Sequence, residues 1–226
     1  MNRYNIFNQI HKGLRSLLYE TALLIQRTDF LNKEESKIAL DRVKEVVELF
    51  EKHAHTEDTY VLPALTEYEP AVVNVFEEEH VADHKLSQRL KDLVFVYTHS
   101  EMDETRVQTG FAISIAFTEF LVFNLNHMAK EEKVLNKLLW RYYSDEQLHQ
   151  LTIKIVAKQS PEAMTIAGKW MMRGLNNAEI IAWLKEVKNT APDFVLKGLS
   201  TTAEKELTDK RWKFVHEQAL LEKAVA

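Results

Sequence analysis

Three pairs of polar side chains recur along this chain at a spacing of four residues: His53 with Glu57, His80 with His84, and His127 with Glu131. On an α-helix, positions i and i+4 lie one above the other on the same face, with Cβ atoms about 5–6 Å apart. Each pair can therefore present nitrogen and oxygen, or two nitrogens, to a single centre. His11 brings the candidates to seven in four separated segments: His11, His53, Glu57, His80, His84, His127 and Glu131. Five imidazoles and two carboxylates suit a pair of divalent first-row metals. Iron is the natural occupant, with zinc or manganese as substitutes, and the lack of thiolate argues against copper(I). Two bridging acids and five imidazoles would leave two ions short of octahedral coordination, which is room for a small ligand such as dioxygen or nitric oxide.

One such pair alone reads as a helix-surface ion pair, worth roughly a few tenths of a kcal/mol. The set gains its meaning from the elements that must carry it. Ile6, Ile10, Leu14, Leu17, Leu18, Leu24 and Ile25 recur at helical spacing and predict a first helix over about 5–27. A long second helix starts near Lys33–Ser36, carries His53 and Glu57, and is loosened near its end by Pro63. Pro70 is placed to open a third helix, over about 71–97, with His80 and His84. Ser100-Glu101-Met102-Asp103 reads as the cap of a fourth, which extends to about Tyr143 with His127 and Glu131.

If neighbouring helices are antiparallel, donors at one level are equidistant in sequence from the turn between them. The midpoint between His11 and the second-helix pair falls near residue 33, and the next falls at Tyr68-Glu69 beside Pro70. The last falls near Thr105, a few residues past the expected cap. At about 1.5 Å rise per residue, all seven groups can meet at one height inside a four-helix bundle. The expectation is an all-α fold: an up-down antiparallel four-helix bundle over residues 1–143, with a C-terminal helical extension over 144–226 packed on it. In that extension Ser144 and Ser160 read as helix caps, Gly174–Asn177 as a turn, Pro192 as a stop, and about 201–222 as a last amphipathic helix.

Composition narrows the function classes. Apolar residues make up 46% and charged residues 28% of the chain, and only five glycines and four prolines interrupt it, which favours long helices. The absence of cysteine excludes disulfides, thiolate zinc sites, iron–sulfur clusters and cysteine nucleophiles. A net charge of −5 without a clustered basic face argues against a nucleic-acid binder. The apolar run Phe111 to Phe123 is short for a membrane span and contains Ser114, Thr118 and Glu119, so it reads as a core helix. The start lacks the apolar core of a signal peptide, and the protein reads as cytoplasmic.

The words Ile10-His11-Lys-Gly-Leu-Arg15, His53-x-x-x-Glu57 with Pro63 downstream, Glu79-His80-x-x-x-His84 and His127-Met-Ala-Lys-Glu131-Glu132, in that order, resemble the hemerythrin-like (HHE cation-binding) family of four-helix non-haem di-iron proteins. The likeness covers about residues 4–143. It implies that His11 and His53 bind one iron, that His80, His84 and His127 bind the other, and that Glu57 and Glu131 bridge them beside an oxo, hydroxo or water bridge. One departure is informative. The oxygen carriers of the family bear aspartate five residues after the last histidine, where this chain has Glu132. The resemblance is thus closer to the bacterial branch, with its oxygen or redox sensors, iron-sensing domains and proteins of iron-centre repair. The repair type usually brings a cysteine-bearing N-terminal segment, which this chain lacks.

The leading expectation is a di-iron protein that binds or senses O2 or NO, or handles iron, without turning over a substrate. The alternatives are an enzyme reducing peroxide or NO or repairing iron centres, and a sensor that signals metal state through the C-terminal extension. His55, His99, His149 and His216 read as non-ligands. Asp58, Glu77, Glu78 and Glu132 read as solvated charges or as partners holding imidazole N–H groups. Phe7, Phe50, Trp140 and Phe117/Phe120/Phe123 read as core, and Trp170, Trp183 and Trp212 of the extension as packing onto the bundle in preference to marking an interface.

Overall fold

The alternation of three- and four-residue steps between apolar positions governs how this chain folds. In the computed structural model, which describes residues 3–220, the buried residues of α3 (Pro70–His99) are Val73, Phe76, His80, Asp83, Ser87, Leu90, Val94 and Tyr97. Their steps of 3, 4, 3, 4, 3, 4 and 3 are the 3.5-residue repeat of a bundle seam. The inner face of α4 (Asp103–Lys133) repeats it through Ile113, Phe117, Phe120, Asn124, His127 and Glu131. With α1 (Asn8–Arg27) and α2 (Lys33–Thr56) these form the expected up-down bundle, and the described residues are helical without a strand.

The caps follow local chemistry. The Asn32 side chain accepts the N–H groups of Glu34 and Glu35 and starts α2. Pro70 opens α3, where its missing N–H costs nothing. Near Pro63 the end of α2 widens into a π-helical turn, Glu57–Val61, and then tightens into a 3₁₀ turn, Leu62–Ala64. Proline cannot donate to the helical ladder, so the backbone leaves the α-helical register there.

Two expected boundaries are corrected. Ser100 ends α3 instead of capping α4: its N–H donates to the Tyr97 carbonyl and its hydroxyl to that of Met102. The first turn of α4 rests on the acids Asp103 and Glu104. The fourth helix also breaks at Val134, whose backbone (φ −106°, ψ −63°) separates it from α5 (Leu135–Tyr142). By length and composition alone the stretch Asp103–Tyr142 could cross a membrane. Its seam nevertheless carries Asn124, His127 and Glu131 into the bundle, and a core helix passes the same test.

The chain separates into two compact units. Among the described residues one contains 3–8 and 17–158, and the other 9–16 and 159–220, so α1 contributes to both. The first unit includes α5 and α6 (Asp145–Val156), whose Leu135, Leu139 and Leu148 pack with Phe7, Val61, Leu62, Leu65, Val73 and Phe76. Ser144 and Gln147 close the capping box expected there.

In the second unit α7 (Pro161–Gly174), α8 (Asn177–Thr190), α9 (Asp193–Glu206) and α10 (Asp209–Ala219) enclose Met172, Leu175, Ile180, Leu184, Ala203, Leu207, Val215 and Ala219. Gly174 lies against the start of α1, where a Cβ would stand 2.2 Å from the Lys12 carbonyl oxygen. The single last helix expected over 201–222 is instead split between α9 and α10, and its residues 221 and 222 lie outside the described residues. The break occurs where Leu207 turns into the core and the Thr208 hydroxyl accepts the Arg211 N–H to cap a new helix.

Candidate metal centre

Six of the seven expected donors meet inside the bundle. Ligand atoms of His11, His53, Glu57 and Glu131 all lie within 4.8 Å of one another, as do those of Glu57, His80, His127 and Glu131. The two carboxylates are common to both groups. Glu57 shows why: its Oε1 faces His53 Nε2 at 3.2 Å, while its Oε2 faces His80 Nε2 at 3.4 Å. Glu131 Oε1 lies 3.2 Å from His127 Nε2 on its own helix. All four helices contribute, at the common height that the midpoints require.

His84 is the exception, and lies outside both groups. Its side chain is 68% exposed, with Nδ1 3.8 Å from Glu51. The seam repeat is the reason. After the four-residue step from Phe76 to His80 the next inward step is three residues, so Asp83 takes the inner position and His84 turns outward.

The imidazoles are oriented from behind. His80 Nδ1 donates to Asp58 Oδ1 at 2.6 Å, and His127 Nδ1 donates to Glu79 Oε2 at 2.8 Å. Both Nε2 atoms are thereby aimed inward, and they stand 3.1 Å apart. Such carboxylate–imidazole pairs fix the tautomer and raise the basicity of a metal-binding nitrogen. Lys130 donates to the other oxygen of Glu79. Burial pushes the Glu79 carboxyl up, but Lys130 and His127 outweigh it and hold it below the usual range. Of the acids considered from sequence, Asp58 is such a partner. Glu79 was missed because only the antiparallel pairing of α3 with α4 brings it to His127.

Electrostatics mark this interior as built for cations. Glu57, Asp83 and Glu131 are buried carboxylates, and among the described residues no lysine or arginine is buried with them. Burial first, and then the Glu131 carboxylate, raise Glu57 well above the usual carboxylate range. Burial opposes a charged His127, yet Glu131 and Glu79 hold it up at about 9. Buried charges of one sign are costly unless paired or metal-bound. Four imidazoles, two shared carboxylates and no thiolate fit two first-row divalent ions. These groups are consistent with a di-iron cofactor site, in which His11, His53, His80 and His127 would be terminal donors and Glu57 and Glu131 shared ones. Phe76 and Phe123 wall His127, with ring centroids 5.8 and 6.1 Å from the imidazole.

Residues 2–139 match the family model described as the hemerythrin HHE cation-binding domain. The chain is also similar to F-box/LRR-repeat protein 5 of Mus musculus, 23% identical over 177 residues, covering 76% of this chain and 24% of that protein. The protein of that name from Salmo salar is 24% identical over 176 residues, covering 76% of this chain and 24% of its own length. The chain thus spans about a quarter of the length of these relatives. No solved structure matches it.

Proposed function

The chain belongs to the hemerythrin HHE cation-binding family, and from that premise we propose that it binds a pair of iron ions at which a small diatomic ligand, O2 or NO, is engaged. The observation that carries this reading is the Glu57 carboxylate, whose two oxygens face imidazoles of the two different groups. Six protein donors shared between two ions leave coordination positions for an exogenous ligand. Iron there supplies reversible one-electron chemistry and affinity for such ligands. The protein's own part is to fix the imidazoles through Asp58 and Glu79, and to limit water with Phe76 and Phe123.

The test is metal content and optical spectrum of protein purified without oxygen, before and after air is admitted. About two irons per chain and ferric bands that appear reversibly support oxygen binding. Irreversible oxidation moves the reading to redox sensing, and protein that takes up no iron on reconstitution refutes it.

A further inference from the structure

Below the metal groups the bundle seam stays polar for another turn. Asp83 and Ser87 occupy the two α3 seam positions after His80, and Asn124 the α4 position before His127. All three are buried. The Asn124 amide donates to Asp83 Oδ1 at 2.6 Å and to the Phe120 carbonyl at 3.1 Å. The Ser87 hydroxyl, fully buried, has no hydrogen-bond partner among the described residues. Leucine or valine at position 83 would fill the seam without the cost of desolvating a carboxylate. A buried carboxylate held at one oxygen by a side-chain amide has the arrangement of an oriented metal donor, since ligating carboxylates are themselves hydrogen-bonded.

We propose that Asp83, oriented by Asn124, is a further oxygen donor of the metal centre and takes the place on α3 that the family resemblance gives to His84. Its carboxylate stands outside the two close groups, but it occupies the seam position next to His80 on α3 and is bonded to Asn124, the seam position next to His127 on α4. Divalent ions offset the mutual repulsion of Glu57, Glu131 and Asp83 and draw the third carboxylate in. The exchange of imidazole for carboxylate adds one negative charge to the protein's donor set. That favours the ferric over the ferrous state, by charge alone.

This inference rests on the di-iron reading, and the experiment separates the two. Wild-type, D83N, D83E and H84A full-length chains are first checked as metal-free proteins by circular dichroism and melting. They are then titrated anaerobically with ferrous iron against a competing chelator, and their ferric absorption bands are recorded after air. D83N keeps the shape and hydrogen bonding of the site but removes the charge. It should lose about 10- to 100-fold in iron affinity, melt in the metal-free form no lower than wild type, and show shifted ferric bands. H84A should match wild type. Wild-type affinity and bands in D83N overturn the assignment, as does an H84A chain that loses iron. Should D83N fail to fold, D83E decides: displaced ferric bands support an oxygen on the metal, and unchanged bands overturn it. A wild-type chain that takes up no iron fails the di-iron reading itself.

Discussion

Replacing Glu79 by glutamine should weaken metal binding more than replacing Asp58 by asparagine, although each removes one carboxylate behind one imidazole. Loss of such a partner typically costs about 10- to 100-fold in metal affinity, or about 1.4–2.7 kcal/mol at 1.4 kcal/mol per decade. Where each variant falls depends on solvent. The Asp58 side chain is 46% exposed, against 21% for Glu79. Water screens the first more strongly and can replace it at His80 Nδ1. Glu79 also joins His127 to Lys130, so its loss leaves an ammonium facing an imidazole that must stay neutral to bind metal. E79Q should therefore fall toward the upper end of that range, and D58N toward its lower end, about tenfold. The assay is anaerobic competition between protein and a chelator for ferrous iron, with metal-free melting curves as the control for folding. An equal or larger loss in D58N, with both metal-free variants intact, would refute the argument that burial of the supporting carboxylate sets its worth.

H53A and E131A should each lose most bound metal, while H84A and H149A keep it, as read by metal analysis after reconstitution. Equal loss in all four would mean misfolding. Metal-free protein should become less stable to denaturant as pH rises from about 6.5 to about 9: His127 is raised to about 9, and a raised pKa gives stability that is complete below the unfolded value and lost through the folded one. Glu57, also raised, acts with the same sign. Iron affinity should move the opposite way, rising with pH as metal displaces protons, and parallel trends would contradict this linkage. G174A should destabilise the C-terminal unit by about 1–3 kcal/mol, because the added Cβ meets the Lys12 backbone carbonyl and not a movable side chain. A denaturant midpoint unchanged by that substitution would show that α1 and α7 can separate cheaply.

The three i, i+4 pairs were legible because helix geometry and antiparallel level depend only on counting residues. For the first pair and the last the counting suffices, because His53 and Glu57 and then His127 and Glu131 lie on seam steps of four. At His80 it does not. Positions i+3 and i+4 both lie near one helix face, and the choice between Asp83 and His84 rests on which phase of the seam continues from Phe76. That phase is present in the sequence as Phe76, Leu90 and Val94, but the spacing of the histidines does not carry it. Glu79 and Asn124 needed α3 laid against α4. The split of the last helix turned on Leu207, whose burial depends on the fold of the C-terminal unit and outweighed the helical periodicity on either side.

The polar seam also explains why so apolar a helix as α4 has one defined partner and register. Phe111, Ile115 and Val122 remain exposed on its outer face, and apolar contacts alone would allow rotation or a one-turn slip at small cost. Asn124, His127 and Glu131 do not allow it. A slip of four residues along α4 would part His127 from Glu79 and Asn124 from Asp83, and leave buried polar groups unpaired at roughly 1–3 kcal/mol each. The groups that would hold the metals thus also select the register that brings them together. Replacing Asp83 and Asn124 together by leucine tests this, because it removes both ends of one bond without leaving either orphaned. The double variant should melt at or above the wild-type temperature as metal-free protein, yet give broader amide resonances along α3 and α4 as alternative registers become populated. Sharp, wild-type-like resonances in a stabilised double variant would show that apolar packing alone fixes the register.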